Sequence, residues 1–321
     1  MSANEHGLDA LDRRIVAALQ VDGRAGWSTV ARVLGESERT VARRGRRLLA
    51  ERLVTVAALV ATGETVVVRF DCSPDTVVTA ARAVALRPDS IFTYLLSGAG
   101  DCVAELQCPA DRLAALTLDD LPRLPGLTAR AVTPVLRYHR TVRGWQPGIL
   151  TPDEVAGLHR FPDRDDLSAS APEAVLDPDE RKIVAALAAD GRRPYEELAA
   201  LAGMSEATAR RRVEALLQAG VISIRASVDP ALLGLPVEAL LWLRTRPDAI
   251  ERIGTLAARD PLVRYAAVVT GEHQLLVHVT QPSRAALLDC LGNADWMREA
   301  TAAETQLVIR ALKRSGTPTG D

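Results

Sequence analysis

Lysine is nearly absent from this 321-residue chain: only Lys182 and Lys313 occur, so arginine carries almost all of the positive charge. Aromatic residues make up 3%, which argues against a single-strand binder that stacks bases on rings. No apolar run reaches the ~18 residues of a membrane span. The opening MSANEHG has neither a basic nor an apolar leader region, so the sequence predicts neither a spanning nor a secreted protein. Cys72, Cys102, Cys108 and Cys290 show no CxxC or paired metal spacing and read as reduced thiols. His6, His139, His159, His273 and His278 lie beside no cysteine at ligand spacing, so no metal is expected. No GxSxG, GxxxxGKS or GxGxxG is present, which leaves no nucleophile elbow or phosphate loop and no cofactor expectation. Lys plus Arg against Asp plus Glu is 39 against 41, a net charge of −2. That excludes a uniformly basic coat and leaves room for a local patch.

What the chain does have is a repeat. LDALDRRIVAALQVDGR (8–24) returns as LDPDERKIVAALAADGR (176–192), an offset of 168 that holds without a gap to Leu53 and Val221. The offset then becomes 173, so that Pro74 meets Pro247, Gly98 meets Gly271 and Arg137 meets Arg310. One insertion of five residues near 226–236 accounts for the step. The chain is two copies of one unit, 8–140 and 176–313, joined by a Pro-, Gly-, Ser- and Asp-rich linker at 144–175 with one helical turn near 152–158.

Each copy has two parts. In the first, Leu8, Leu11, Ile15, Ala18 and Leu19 recur at helical spacing and Gly23 ends the helix. Ser28 is placed to cap a short second helix, Gly35-Glu36 turns the chain, and Ser37 caps a third helix running to about Glu51, with Ser205 in the same part of copy two. Three short helices with a tight turn before the third form a helix-turn-helix pattern. On the third helix Val41, Gly45 and Leu48 face inward, while Arg39, Arg43 and Arg46 face outward with Arg44 and Arg47 on the flanks. Five arginines on one helix repel one another unless phosphates lie in front of them. In the major groove an arginine can bond guanine O6 and N7 together. The candidate DNA contacts are therefore Ser37, Arg39, Thr40, Arg43, Arg44, Arg46 and Arg47, with Ser205, Thr208, Arg211 and Arg212 in copy two. Residues 8–56 carry ten Arg against six acidic residues, whereas 176–224 carry seven basic against eight acidic.

The second part of each copy alternates. TVVVRF (65–70), IFTYLL (91–96), CVAELQ (102–107) and TARAVTPVLRY (128–138) read as strands, and 75–86 and 110–118 as helices entered after Pro74 and Pro109. The order is βαββαβ, a ferredoxin-like antiparallel sheet covered on one face. The fold class is thus α+β, two winged helix-turn-helix domains each followed by a βαββαβ domain. Expected borders are 8–56, 57–143, 144–175 (linker), 176–224, 225–314 and a flexible tail at 315–321.

A helix-turn-helix followed by βαββαβ, with LDxxDRxIVxxLxxDGR, an LGxS-like turn and a VxRRxxRL-like third helix, resembles the Lrp/AsnC (leucine-responsive, feast/famine) transcription regulators. The resemblance implies a cytoplasmic regulator that binds double-stranded DNA and whose sensor domains pair, with an amino acid or related small molecule between them. It also implies a glycine-containing turn before an acidic residue. SGAGD (97–101) matches that turn, and TGEHQ (270–274) keeps Gly271 but has Gln274 where Asp101 stands. The candidate effector residues are Gly98, Gly100, Asp101, Gly271 and Gln274. One-sided sheets at either end of the linker are expected to pair within the chain as a pseudo-dimer that associates further into homo-oligomers. Two other classes share the pattern: a metabolite-sensing or partner-binding protein without DNA affinity, and an enzyme similar to siroheme decarboxylases. The latter needs cationic and histidine groups converging in the sensor sheets. The sensor strands read as mostly aliphatic, so no enzymatic activity is expected.

Overall fold

The computed structural model describes residues 7–60, 63–98, 100–159 and 176–319. In copy one, α1 (Ala10–Val21) begins at Asp9, whose carboxylate accepts the Asp12 N–H, and α2 (Trp27–Leu34) ends at Gly35 in the left-handed region, φ 69°. Helix α3 (Glu38–Ala50) begins at Ser37, whose hydroxyl accepts the Thr40 N–H. The expected cap at Ser28 is not found. Helix α2 starts two residues earlier, its N-cap is Gly26, and Ser28 lies inside the first turn. Then follow β1 (Val54–Val60), β2 (Glu64–Cys72), α4 (Val77–Ala85), β3 (Ser90–Leu96) and β4 (Cys102–Cys108). The helix expected over 110–118 is instead a chain of short turns around α5 (Leu113–Ala115), with a wide turn at Leu116–Asp120 and a tight one at Leu121–Arg123. Pro122 has no N–H to return to the preceding turn, so a regular helix cannot continue there. Strand β5 (Leu127–Arg140) closes the copy, and the linker turn is α6 (Pro152–Leu158).

Copy two repeats the order as α7 (Pro178–Ala189), α8 (Tyr195–Ala202), α9 (Glu206–Gln218), β6 (Ile222–Val228), β7 (Val237–Thr245), α10 (Ile250–Arg259), β8 (Val263–Val269), β9 (Leu275–Gln281), α11 (Arg284–Asn293) and β10 (Ala300–Arg314). The insertion is the turn Pro230–Leu233 between β6 and β7, closed by Gly234 at φ 88°. The tail is not free through its length. Ser315 and Gly316, both at positive φ, reverse the chain so that β11 (Thr317–Pro318) pairs with β10, and the Gly316 N–H reaches the Ile91 carbonyl at 2.8 Å.

One compact unit comprises, among the described residues, 7–60, 146–159 and 176–234. It holds both helical heads, and the borders expected at 56 and 224 fall inside β1 and β6. These two strands pair antiparallel along their whole length, from Val54 opposite Val228 to Val60 opposite Ile222. The wing of each head is thereby completed by the other copy. Ile15, Leu19, Val30, Val41 and Leu48 in one head, and Ile183, Leu187, Leu198, Val213 and Leu216 in the other, form buried faces at helical spacing.

The other unit comprises, among the described residues, those of 63–145 and 235–319. Strands β10, β3, β4, β2, β5, β8, β9 and β7 lie in that order, and β7 pairs back onto β10. Each long strand serves two sheets: β5 pairs with β2 over 127–134 and with β8 over 135–140. Likewise β10 pairs with β7 over 300–307 and with β3 over 308–313. Ala80, Ala81 and Val84 of α4 pack with Leu116 and Leu121 on the outer face of the first sheet. The inner faces meet in a second core of Val67, Phe92, Tyr94, Tyr138, Leu240, Trp242 and Tyr265. The sensor domains are a pseudo-dimer within one chain, as the one-sided sheets led us to expect.

Candidate functional site

On α3, Val41, Gly45 and Leu48 are buried and Arg39, Arg43 and Arg46 are exposed in one stripe, spaced i, i+4 and i+7. None of the three has an ion-pair partner among the described residues. The flanking arginines are different. Arg44 pairs with Asp9 and with Asp12 at 3.0 Å, and Arg47 pairs with Asp12 at 2.5 Å. These bridges tie the third helix to the start of the first. Asp9 is held below the ordinary carboxylate range by the Asp12 N–H that it accepts and by the Arg44 guanidinium. Arg212 repeats the Arg44 bridge on Asp177, at 2.5 Å. Of the arginines expected to contact DNA, Arg44, Arg47 and Arg212 are thus engaged by the protein itself, while Arg39, Arg43, Arg46 and Arg211 face solvent. Ser37–Thr40 and Ser205–Thr208 form matching caps, with hydroxyl pairs at 2.8 and 2.9 Å.

Sequence reading missed how the heads are joined. Arg24 donates to the carbonyls of Gly191 and Arg193 at 2.7 and 3.0 Å, and its counterpart Arg192 donates to those of Gly23 and Ala25 at 2.6 and 3.2 Å. Arg24 also lies over the Tyr195 ring, 4.4 Å from its centroid, and Arg192 over Trp27 at 4.5 Å. The signal was present in the sequence, as a DGR followed three residues later by an aromatic in both copies. Helix α6 packs against α1 and α2 of the first head, with Glu154 on Arg14 at 2.5 Å and Leu158 buried.

The sensor turns carry a second cluster. Gly98, Gly100 and Gly271 are at φ 86°, 83° and 99°. The Asp101 carboxylate accepts the Cys72 N–H at 2.8 Å, and the Gln274 carbonyl oxygen accepts the equivalent Thr245 N–H at 3.0 Å. The aspartate and the glutamine therefore do one structural task in the two copies. The Arg69 side chain lies against Gly100, where a Cβ would meet it. Arg69 donates to both Glu304 oxygens at 3.0 Å and lies over Trp242, 5.1 Å from its centroid. Glu304 in turn lies 3.9 Å from His273, inside the 270–274 turn. Arg69, Glu304, Trp242 and His273 thus bring the two sensor turns to one place. No sequence spacing announced this, because Arg69 and Trp242 occupy equivalent positions and meet only when the two copies face each other.

The expectation that cationic and histidine groups do not converge in the sensor sheets is corrected. Arg264, His278 and Arg314 gather on Glu238 between the sheets, all four buried. Arg314 bonds both Glu238 oxygens, and His278 Nε2 lies 3.2 Å away. Burial works to raise the Glu238 pKa, but Arg314 and His278 outweigh it and keep the group ionised. The four residues sit on four different strands, so alternation along any one strand hid them. Their charge is met by a carboxylate of the chain itself.

Among the described residues no helix is long and apolar enough to cross a membrane. The model of the AsnC-type helix-turn-helix domain matches residues 8–49 and again 176–217. An uncharacterized helix-turn-helix-type transcriptional regulator of Pyrococcus horikoshii is 31% identical over 106 residues, covering 33% of this chain and 67% of that protein. A second such regulator, from Pyrococcus furiosus, is 28% identical over 144 residues, covering 43% of this chain and 95% of its own length. Among solved structures, the siroheme decarboxylase NirDL is similar over both copies, with a TM-score of 0.60, 16% identity, and 95% of this chain and 92% of that chain covered. At that identity the likeness is one of fold.

Proposed function

Since the chain belongs to the Lrp/AsnC family, as a tandem duplication of its helix-turn-helix and sensor unit, we propose that it is a sequence-specific DNA-binding transcriptional regulator. One observation carries the reading: Arg39, Arg43 and Arg46 form an exposed stripe on α3 with no ion pair among the described residues. Such a stripe is unfavourable alone and favourable against phosphates. Ser37, Thr40, Ser205, Thr208 and Arg211 add hydroxyl and guanidinium donors at the starts and outer faces of the same two helices. Arg44, Arg47 and Arg212 act as struts that hold the reading helices in place. The reading carries a cytoplasmic location with it.

The sensor unit responds to a small zwitterion, an amino acid or a close relative, in this reading. Arg69 and Glu304 offer a guanidinium and a carboxylate 3.0 Å apart, both partly exposed, where the turns of Gly98–Asp101 and Gly271–Gln274 approach. A ligand with one carboxylate and one ammonium would exchange with that pair. Further copies associate through outer surfaces of the sensor unit, where Leu136 and Ile309 are 60% and 65% exposed at equivalent strand bulges. A catalytic reading in the manner of the siroheme decarboxylase is weaker, because Glu238 already occupies Arg314 and His278. Fluorescence anisotropy with labelled duplex across a salt series tests the central claim. Binding that weakens steeply with salt, and weakens again in an Arg39, Arg43 and Arg46 triple alanine variant, is expected. Failure to bind any duplex at low salt would overturn it.

A further inference from the structure

The two heads share a framework and differ in the surface they present. Position by position, Arg39, Arg43 and Arg46 on α3 correspond to Ala207, Arg211 and Glu214 on α9. The stripe is three exposed guanidiniums in one head and an exposed alanine, an exposed arginine and a half-buried glutamate in the other. A neighbouring arginine does not make up the difference. Arg210, which stands where α3 has the buried Ala42, lies over the Tyr195 ring at 4.8 Å and pairs with Glu206 at 3.4 Å. The strut is common to both, Arg44 on Asp9 and Arg212 on Asp177. The heads are thus mounted alike, joined through the seven-residue β1–β6 pairing and the reciprocal Arg24 and Arg192 bonds.

A palindromic site mirrors two identical reading helices. Here the two helices are held by equivalent bonds and carry unequal chemistry. We infer, resting on the DNA-binding reading above, that the duplex recognised by this protein is asymmetric. One half-site bears guanine and is held by Arg39, Arg43 and Arg46, and the other is loosely specified under Arg211. Guanine is the partner that an outward arginine in the major groove selects, through O6 and N7 together. Glu214 sets a negative charge where the first head has Arg46, so the second half-site gains little from phosphate neutralisation.

The experiment is a binding-site selection with the full chain at fixed salt, followed by salt titrations on the selected duplex. Four proteins are compared: the natural chain, Arg43→Ala, Arg211→Ala, and a double variant Ala207→Arg with Glu214→Arg. Circular dichroism and melting confirm that each variant folds. The selected site should have one information-rich half containing guanine. Arg43→Ala should cost roughly five- to a hundredfold in affinity and relax preference at one base pair, and Arg211→Ala clearly less. The double variant should steepen the dependence of log affinity on log salt by about two and draw a more symmetric site from the selection. A palindromic site on which Arg43→Ala and Arg211→Ala cost the same would overturn the asymmetry. If Arg43→Ala weakens all sequences alike, with a salt slope lower by about one, the guanine assignment falls. If no duplex is retained at any salt, the DNA-binding reading itself fails, an outcome separate from both.

Discussion

The Trp27 indole fills the space that any side chain at position 45 would need, and a methyl placed on Gly45 would overlap the ring. A glycine inside α3 costs about 1 kcal/mol against alanine, and that cost is offset by the large ring packed over it. In the second head the equivalent positions hold Tyr195 and Val213, a smaller ring and a larger inward residue. Gly45→Val alone should therefore destabilise the first head by roughly 1–3 kcal/mol through overpacking. Adding Trp27→Tyr should recover much of the loss. A double-mutant cycle by chemical denaturation measures the coupling, and additive losses would show that the two positions do not share one volume.

That pair also shows what could be read in advance. The repeat, the three-helix heads and the βαββαβ order were legible, because each rests on a local period of 3.6 or 2 or on an offset between copies. The complement of Gly45 was not, since Trp27 lies on another helix and only packing brings the two together. The same holds for Arg69 with Glu304, on strands from different copies, and for Arg264, His278 and Arg314 around Glu238. The arginine stripe was legible as a stripe, but the withdrawal of Arg44 and Arg47 by Asp9 and Asp12 needed three dimensions. The broken helix around α5 could have been suspected from Pro122 alone.

Arg24 and Arg192 should matter for the joint between the heads more than for either head alone. Each makes charge-assisted bonds to carbonyls of the other copy, and bonds of that kind contribute roughly 1.5–3 kcal/mol. Substituting both with alanine should speed amide exchange at Gly23 and Gly191, whose N–H groups donate to Ile224 and Val56 across the joint. Exchange in the sensor strands should be unchanged. Unaltered exchange at both glycines would mean that the β1–β6 pairing alone holds the joint.

Asp101 and Gln274 hold equivalent backbone amides, so their loss should look alike. Asp101→Ala and Gln274→Ala each leave a strand-end N–H without its acceptor, and a loss of about 1–3 kcal/mol is expected from each in thermal or denaturant melts. Effector binding should separate from this. A zwitterionic amino acid at 100 times its Kd should stabilise the natural chain by about 2.7 kcal/mol, and that gain should vanish in Arg69→Leu and in Glu304→Gln. A gain that survives both substitutions would remove the Arg69–Glu304 locus from the effector reading.

Glu105 gives the sensor unit a pH dependence of predictable sign. It is buried between the sheets, faced by Tyr138 of β5, Tyr265 and Phe92 of the neighbouring strands, and Arg143, with His278 at the equivalent position in copy two. Burial pushes its pKa up to about 7 from an ordinary 4.5, against the lowering effects of the Tyr138 bond and Arg143. A carboxyl whose pKa rises on folding favours the folded state while it is protonated. Its contribution is therefore full below about pH 4.5 and is lost as pH rises towards 7, a change on the order of 3 kcal/mol. Glu105→Gln keeps the shape and removes the titration. Relative to that variant, the natural chain should lose stability between pH 5 and about 7 and then stay level, as followed by denaturant midpoints at each pH. His139, His273 and His278 titrate the same way in both proteins, so their share cancels in the difference. A constant difference across that range would show that the Glu105 carboxyl does not titrate there.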